Sequence, residues 1–151
     1  MEEYNIKKIK FSDISSIVIE GLNNNSKVNL TVTGKSMYPF LLDGIDQIII
    51  EKITHKLKPG DIILYKKNNF IIHRILKKKK NYYIVSGDAL TIKEIVFENE
   101  IIGYVSSIIK KNKTIDVRSS KMYKVKEMIW RKLFLFRKIL LFINRKIFLK
   151  Q

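Results

Sequence analysis

Three short segments of this chain carry side chains that together can cleave an amide bond. Ser36 lies in the segment Gly-Lys-Ser-Met-Tyr-Pro at 34–39, His73 is followed by Arg74, and Asp88 follows a glycine. A serine hydroxyl is a weak nucleophile until a neighbouring base takes its proton, and a carboxylate can orient that base. The hydroxyl, imidazole and carboxylate therefore predict a serine hydrolase.

The composition excludes several other kinds of catalytic or structural site. The chain has no cysteine, which excludes a thiol nucleophile, a disulfide framework and a cysteine-built zinc site. Its two histidines, His55 and His73, are not spaced as a metal-binding pair on a helix. We therefore expect neither a metal nor a cofactor, and serine remains the nucleophile to consider.

The elements that must position these groups are mostly short strands separated by turns. The 151 residues are enough for one modest core, so we expect a single domain over 1–120 and a C-terminal tail over 121–151. Alternating or continuous apolar runs predict a compact, mainly antiparallel β fold rather than βαβ units. The predicted elements are a short helix at 14–22 and strands at 28–33, 47–51, 61–65, 70–76, 82–85, 101–110 and 114–117.

Several sequence boxes, in order and at suitable spacing, resemble those of the signal peptidase I family. This family belongs to the S24/S26 serine peptidase superfamily, which also includes the self-cleaving LexA-type repressors. The resemblance covers roughly residues 20–110. The matching boxes are GKSMYPFLLDG at 34–44, KPGDIILY at 58–65, IHRI at 72–75, SGD at 86–88 and IIGYV at 101–105.

The resemblance implies an endopeptidase with Ser36 as nucleophile and His73 as general base. Most bacterial members use a lysine base, whereas His73 is similar to the archaeal and endoplasmic-reticulum type. An imidazole with an ordinary pKa near 6.5 can accept a proton near neutrality. Gly34 permits a tight turn, Met37 can form an apolar wall beside the substrate, and Pro39 restricts the chain leaving the nucleophile.

The oxyanion hole departs from the family pattern. Many signal peptidases place a serine two residues before the nucleophile, where this chain has Gly34. The backbone N–H of Ser36, helped by Thr33, would then carry more of the stabilisation. We expect slow turnover.

Two carboxylates compete for the place beside the base. Asp88 belongs to the Gly-Asp box and is the preferred candidate, with a structural turn as its alternative role. Glu94 lies near the position where the endoplasmic-reticulum type carries a further acid, although it could be a solvated loop charge. Asp61 is assigned to the Pro-Gly-Asp turn.

The positive charge is concentrated in the tail. The chain has a net charge of +16, but its richness in Lys, Ile and Asn weakens any inference to nucleic acid, which we do not expect as a partner. Residues 121–151 hold ten basic residues and one acid, Glu127, giving a net charge of +9. This asymmetry favours an anionic membrane surface.

The tail is predicted to be a basic amphipathic helix lying on the membrane. No run of 18 apolar residues and no signal peptide are evident, although a true span, and a helix packed on the domain or on a second copy, remain alternatives. The expected lipid contacts are Trp130, Arg131, Lys138 and Arg145, the basic three recurring every seven residues. We expect peripheral association with the cytoplasmic face of a prokaryotic membrane.

Two functions of different classes fit the sequence. The first is a serine endopeptidase of signal peptidase type that cleaves leader or preprotein substrates after small residues through an acyl-enzyme. The second is a noncatalytic basic module that binds lipid or nucleic acid on the same β scaffold. A repressor is disfavoured, because about 27 residues before the first strand cannot house a helix-turn-helix domain.

Overall fold

The structure is a computed structural model that describes residues 11–111 and 113–148. Its elements, in chain order, are α1 (Phe11–Asn23), β1 (Val28–Thr31), β2 (Gln47–Glu51), β3 (Ile62–Lys66), β4 (Phe70–Lys78), β5 (Tyr82–Ser86), β6 (Glu94–Phe97), β7 (Ile101–Lys110), β8 (Lys113–Asp116), α2 (Lys121–Lys132) and α3 (Arg137–Phe148). Short 3-10 turns occupy Glu98–Glu100 and Phe134–Phe136.

The eight strands form one antiparallel sheet. Their order is β1-β2-β7-β3-β4-β5-β6, and β8 pairs with the end of β7. Register shifts interrupt the ladders of β2 with β7, β3 with β7 and β4 with β5. The mainly β, antiparallel fold predicted from the sequence is therefore confirmed.

Both faces of the sheet are covered, which explains the continuous apolar runs in its central strands. Along β3, Ile62 and Leu64 enter one core cluster, whereas Ile63 and Tyr65 enter a second cluster on the opposite face. The first cluster also receives side chains from α1, the turn after β1, and α2, whose Tyr123 is buried in it. The tail thus begins as part of the domain core.

The sequence located most elements but missed two features. The strands at 47–51 and 101–110 have the predicted bounds, whereas β6 was not anticipated. The tail forms two helices rather than one, because the chain turns at Phe134–Phe136 and carries Arg137 into the protein, where its side chain is 0% exposed. None of the helices in the described ranges is both long and apolar enough to cross a bilayer.

Candidate active site

Ser36 opens a tight turn after β1 that is fixed from both sides. Gly34 adopts φ +88°, a left-handed conformation that favours glycine, and its N–H donates to Asp43 Oδ1 at 2.9 Å. On the inner side, Met37 and Leu41 are buried in the core, and the Leu41 N–H donates to the Met37 carbonyl at 3.0 Å. Ser36 itself remains half-buried at the protein surface.

His73 lies in a polar network formed by three strands. Its Nδ1 is 3.0 Å from the Tyr65 hydroxyl and 3.3 Å from Glu94 Oε1, and the same hydroxyl donates to Glu94 Oε2 at 3.2 Å. The register of β3 and β4 pairs Ile63 with His73, which makes Tyr65 a diagonal neighbour on the same face. Strand β6 brings in Glu94 from the far side of β5.

This network selects one form of the imidazole. Because the single phenolic hydrogen of Tyr65 goes to Glu94, the phenolic oxygen can accept a hydrogen bond from an Nδ1–H of His73. The neutral ring then keeps its lone pair on Nε2, which is the tautomer needed by a base that receives a serine proton.

Burial sets the charge state of the network. Desolvation lowers the pKa of His73 below its ordinary value, and attraction from Glu94 and Asp88 opposes the shift only in part. Burial, followed by repulsion from Glu94, raises the pKa of the Tyr65 phenol well above its ordinary value. At neutral pH the imidazole is therefore neutral and the phenol protonated.

Asp88 belongs to a different interaction. Arg74 donates to it through Nε, at 2.9 Å from Oδ1 and 3.1 Å from Oδ2, and through Nη2 at 2.6 Å from Oδ2. Both side chains are 0% exposed. Adjacent strand residues point to opposite faces of the sheet, so Arg74 and His73 face different ways. Asp88 lies on the face of Arg74, not on that of His73. Of the two carboxylates proposed from the sequence, the less favoured one, Glu94, is in contact with the imidazole.

The end of the β4–β5 ladder, close to His73 in register, leads into a loop that contacts the serine turn. Arg74 pairs with Ser86, so continuing the ladder by one step would put Gly87 opposite His73. The chain instead leaves the ladder there and contacts the serine turn: the Ala89 N–H donates to the Ser36 carbonyl at 2.8 Å. A Cβ on Gly87 would lie 2.5 Å from that carbonyl oxygen.

Ser36 and His73 lie on separate elements, the turn after β1 and strand β4. Among the described residues, no hydrogen bond joins the two side chains. Such bonds are often long or poorly aligned in apo structures and tighten when substrate binds. The loop at 87–90 is hydrogen-bonded to the serine turn, and it begins where the β4–β5 ladder ends, one step before His73.

A cleft of about 500 Å³ runs past Ser36. On one side it is bounded by β1, which among the described residues is an edge strand paired with β2 alone. On the other side it is bounded by the start of β4, where β5 has not yet begun to pair. The cleft wall is mainly apolar and includes Val18, Leu30, Val32, Met37, Leu41, Leu64 and Ile72.

The oxyanion donors expected from the sequence are partly in place. Ser36, Gly34 and Thr33 all line the cleft. Within the described part of the chain, the Ser36 N–H has no hydrogen-bond acceptor and is available, whereas the Gly34 N–H is taken by Asp43. Pro39 lines a separate hollow beside Tyr123 rather than this cleft.

Tyr65 is the site residue that sequence reasoning missed. It was treated only as part of a strand, because nothing in its local pattern distinguishes it from a core tyrosine. The available signal was the hairpin between β3 and β4, whose register would have put Tyr65 diagonal to His73. The other histidine, His55, packs edge-on against Tyr104 at 4.3 Å between ring centroids.

Two of the four expected lipid contacts turn inward. The Trp130 indole donates to the Asp88 carbonyl at 2.9 Å, and Arg131 Nε lies 3.3 Å from Glu127 Oε2. Both side chains therefore make contacts within the protein, and their placement in lipid stays a prediction. The side chains of Lys138 and Arg145 lie outside the described residues.

Comparison with known proteins points to one family. A family model described as Peptidase S24-like matches residues 2–106. No curated protein matches the chain. The matched range includes Ser36, His73, Asp88 and Glu94, and ends before α2 and α3.

Proposed function

We propose, because this chain belongs to the Peptidase S24-like family, that it is a serine endopeptidase of signal peptidase type that cleaves leader or signal peptides after small residues. The family also contains self-cleaving and noncatalytic members, so membership alone does not establish turnover. The observation that carries the proposal is the network that holds His73 Nδ1 and leaves Nε2 as the basic nitrogen.

In the proposed reaction, His73 Nε2 removes the Ser36 Oγ proton as Oγ attacks the scissile carbonyl. The negative charge that develops on the carbonyl oxygen is stabilised by the Ser36 N–H. The imidazolium, stabilised by Glu94, then gives its proton to the leaving amine as the peptide bond breaks. A water molecule, deprotonated by the same nitrogen, attacks the acyl-enzyme, which releases the acid product and restores Ser36.

The cleft supports an extended peptide as substrate. The edges of β1 and of the first part of β4 can offer backbone hydrogen bonds to an added strand. Apolar side chains such as Met37, Leu41 and Ile72 can receive alternate side chains of that strand. A leader peptide bound in an extended conformation would have this shape.

Cleavage of a leader peptide rich in small residues tests the proposal. Ser36→Ala and His73→Ala should each lower kcat/KM by about 10³-fold or more. The matched controls are Ser26→Ala, at an exposed turn, and His55→Ala, and both should retain activity.

A second readout separates a wrong substrate from absent catalysis. A fluorophosphonate probe should label wild type at Ser36, and His73→Ala should slow the labelling because the hydroxyl is no longer activated. Equal cleavage traces in all variants, together with no labelling of wild type, would overturn the proposal in favour of the noncatalytic binding module.

A further inference from the structure

Exposed apolar side chains are concentrated in the C-terminal helices. Of the fourteen large apolar side chains that are exposed in the described residues, nine lie between residues 122 and 143. A small soluble domain seldom leaves so many together without a partner. The part of the chain outside the family match therefore carries a surface of its own.

Helix α2 has one face packed against the domain and a second, apolar face exposed to solvent. Its inner face buries Tyr123 and Glu127 against the domain. On the opposite face Met122, Val125 and Ile129 are 64%, 50% and 50% exposed, and their spacing of three and four residues aligns them along the helix. The exposed apolar stripe of α2 is thus separate from the face that packs against the core.

The stripe continues past the end of α2. Leu135 and Phe136 in the connecting turn are 83% and 58% exposed, and Ile139 and Ile143, one turn apart on α3, are 59% and 48% exposed. Arg137, on the other side of α3, is fully buried. We call these exposed apolar side chains of α2, the connecting turn and α3 the outer face.

Charge identifies the occupant of the outer face. Lys126 flanks the α2 stripe on one side, and Lys121 and Lys132 flank it on the other, all three exposed. The only acid after residue 120, Glu127, is buried and bound to Arg131. A second copy would oppose one net charge of +9 with another, whereas an anionic lipid surface complements both the lysines and the apolar stripe.

We propose that the outer face binds the surface of an anionic bilayer, with α2 and α3 lying in its plane. Apolar side chains enter the headgroup boundary and the flanking lysines meet lipid phosphates. The contacts differ from those expected from the sequence, because Trp130 and Arg131 belong to the inner side. This binding requires no catalysis and stands apart from the proposed function.

Vesicle co-sedimentation of the full chain tests the proposal. Phosphatidylcholine vesicles with phosphatidylglycerol should bind at least about tenfold more tightly than vesicles without it, and added salt should weaken binding. The double variant Ile129→Gln with Phe136→Gln should lose at least about tenfold in affinity. Ile45→Gln, which changes an exposed isoleucine on a distant turn, is the matched control and should bind as wild type does.

Two results would overturn the proposal. One is equal binding of wild type to both vesicle types. The other is a wild-type dimer in sedimentation equilibrium that the double variant dissociates, since a second copy would then be the occupant. Thermal melts must show that the double variant is folded. Ser36→Ala should bind vesicles normally, so loss of cleavage and loss of lipid binding are separate outcomes.

Discussion

Replacing Asp88 tests whether this carboxylate is a structural partner or part of the catalytic machinery. Burial acts to lower the pKa of Arg74, but attraction from Asp88 and Tyr123 and the hydrogen bonds to both together outweigh it, so the pKa lies above its ordinary value and the guanidinium stays charged. A second buried guanidinium, Arg137, has its Nη2 4.0 Å from Asp88 Oδ1. Asp88→Asn would leave both cations without a counter-charge in the protein interior.

The expected loss of stability is large. Breaking a buried, hydrogen-bonded ion pair by removing one partner costs about 3–5 kcal/mol. For a domain of this size each kcal/mol lowers Tm by about 2–4 °C, so Asp88→Asn should melt roughly 6–20 °C below wild type. Thermal unfolding followed by circular dichroism, supported by urea unfolding, measures the difference.

Glu94→Gln is the matched control, because it makes the same chemical change at the carboxylate that contacts His73. Its side chain is 29% exposed, so the free energy of unfolding should change by no more than about 1 kcal/mol. If Asp88→Asn instead melted within about 2 °C of wild type and lost cleavage, the structural role would be refuted and Asp88 would return as the acid that orients His73.

Three further predictions concern the base and the nucleophile. Because burial lowers the pKa of His73, kcat/KM in a pH–rate profile should fall only below about pH 6.5. Glu94 opposes that lowering, so Glu94→Gln should move the acid limb of the profile to lower pH and reduce its plateau. Tyr65→Phe should lower kcat by about tenfold or more with KM nearly unchanged, because the imidazole loses an orienting partner; an unchanged kcat would contradict this role. Gly87→Ala should lower fluorophosphonate labelling of Ser36 by about tenfold or more, because the new Cβ would press on the serine carbonyl and shift the turn; wild-type labelling would show that the loop has room to adjust.

Local pattern was sufficient for the fold and for naming Ser36 and His73 as candidates for the site. The strand at 47–51 carries a continuous apolar run, and the strand at 101–110 is mainly apolar, so their positions follow from sequence. Ser36 and His73 were identified because they lie in boxes whose order and spacing are diagnostic. Neither observation depends on knowing which strands are neighbours.

The remaining part of the site depends on strand register. Strand β6 is four residues long and mixes polar with apolar side chains, so it gives no clear periodic signal. Without β6 the sequence could not show that Glu94 reaches His73, and without the register of β4 and β5 it could not show that Asp88 pairs with Arg74. The inward turn of Trp130 was hidden for a similar reason, since an amphipathic pattern does not tell which apolar side faces the protein.

The loop at 87–90 connects the C-terminal tail to the serine turn. A division of the chain into a domain ending at residue 120 and a separate tail does not show this connection. Its Gly87 and Asp88 carbonyls accept hydrogen bonds from Arg137 and Trp130, while its Ala89 N–H supports Ser36. A fragment trimmed to the family match would therefore expose two carbonyls and uncover the ion pair beneath them. The structural unit that supports the serine turn is longer than the family match, and a shortened version of the protein must retain α2 and the start of α3 to keep these contacts.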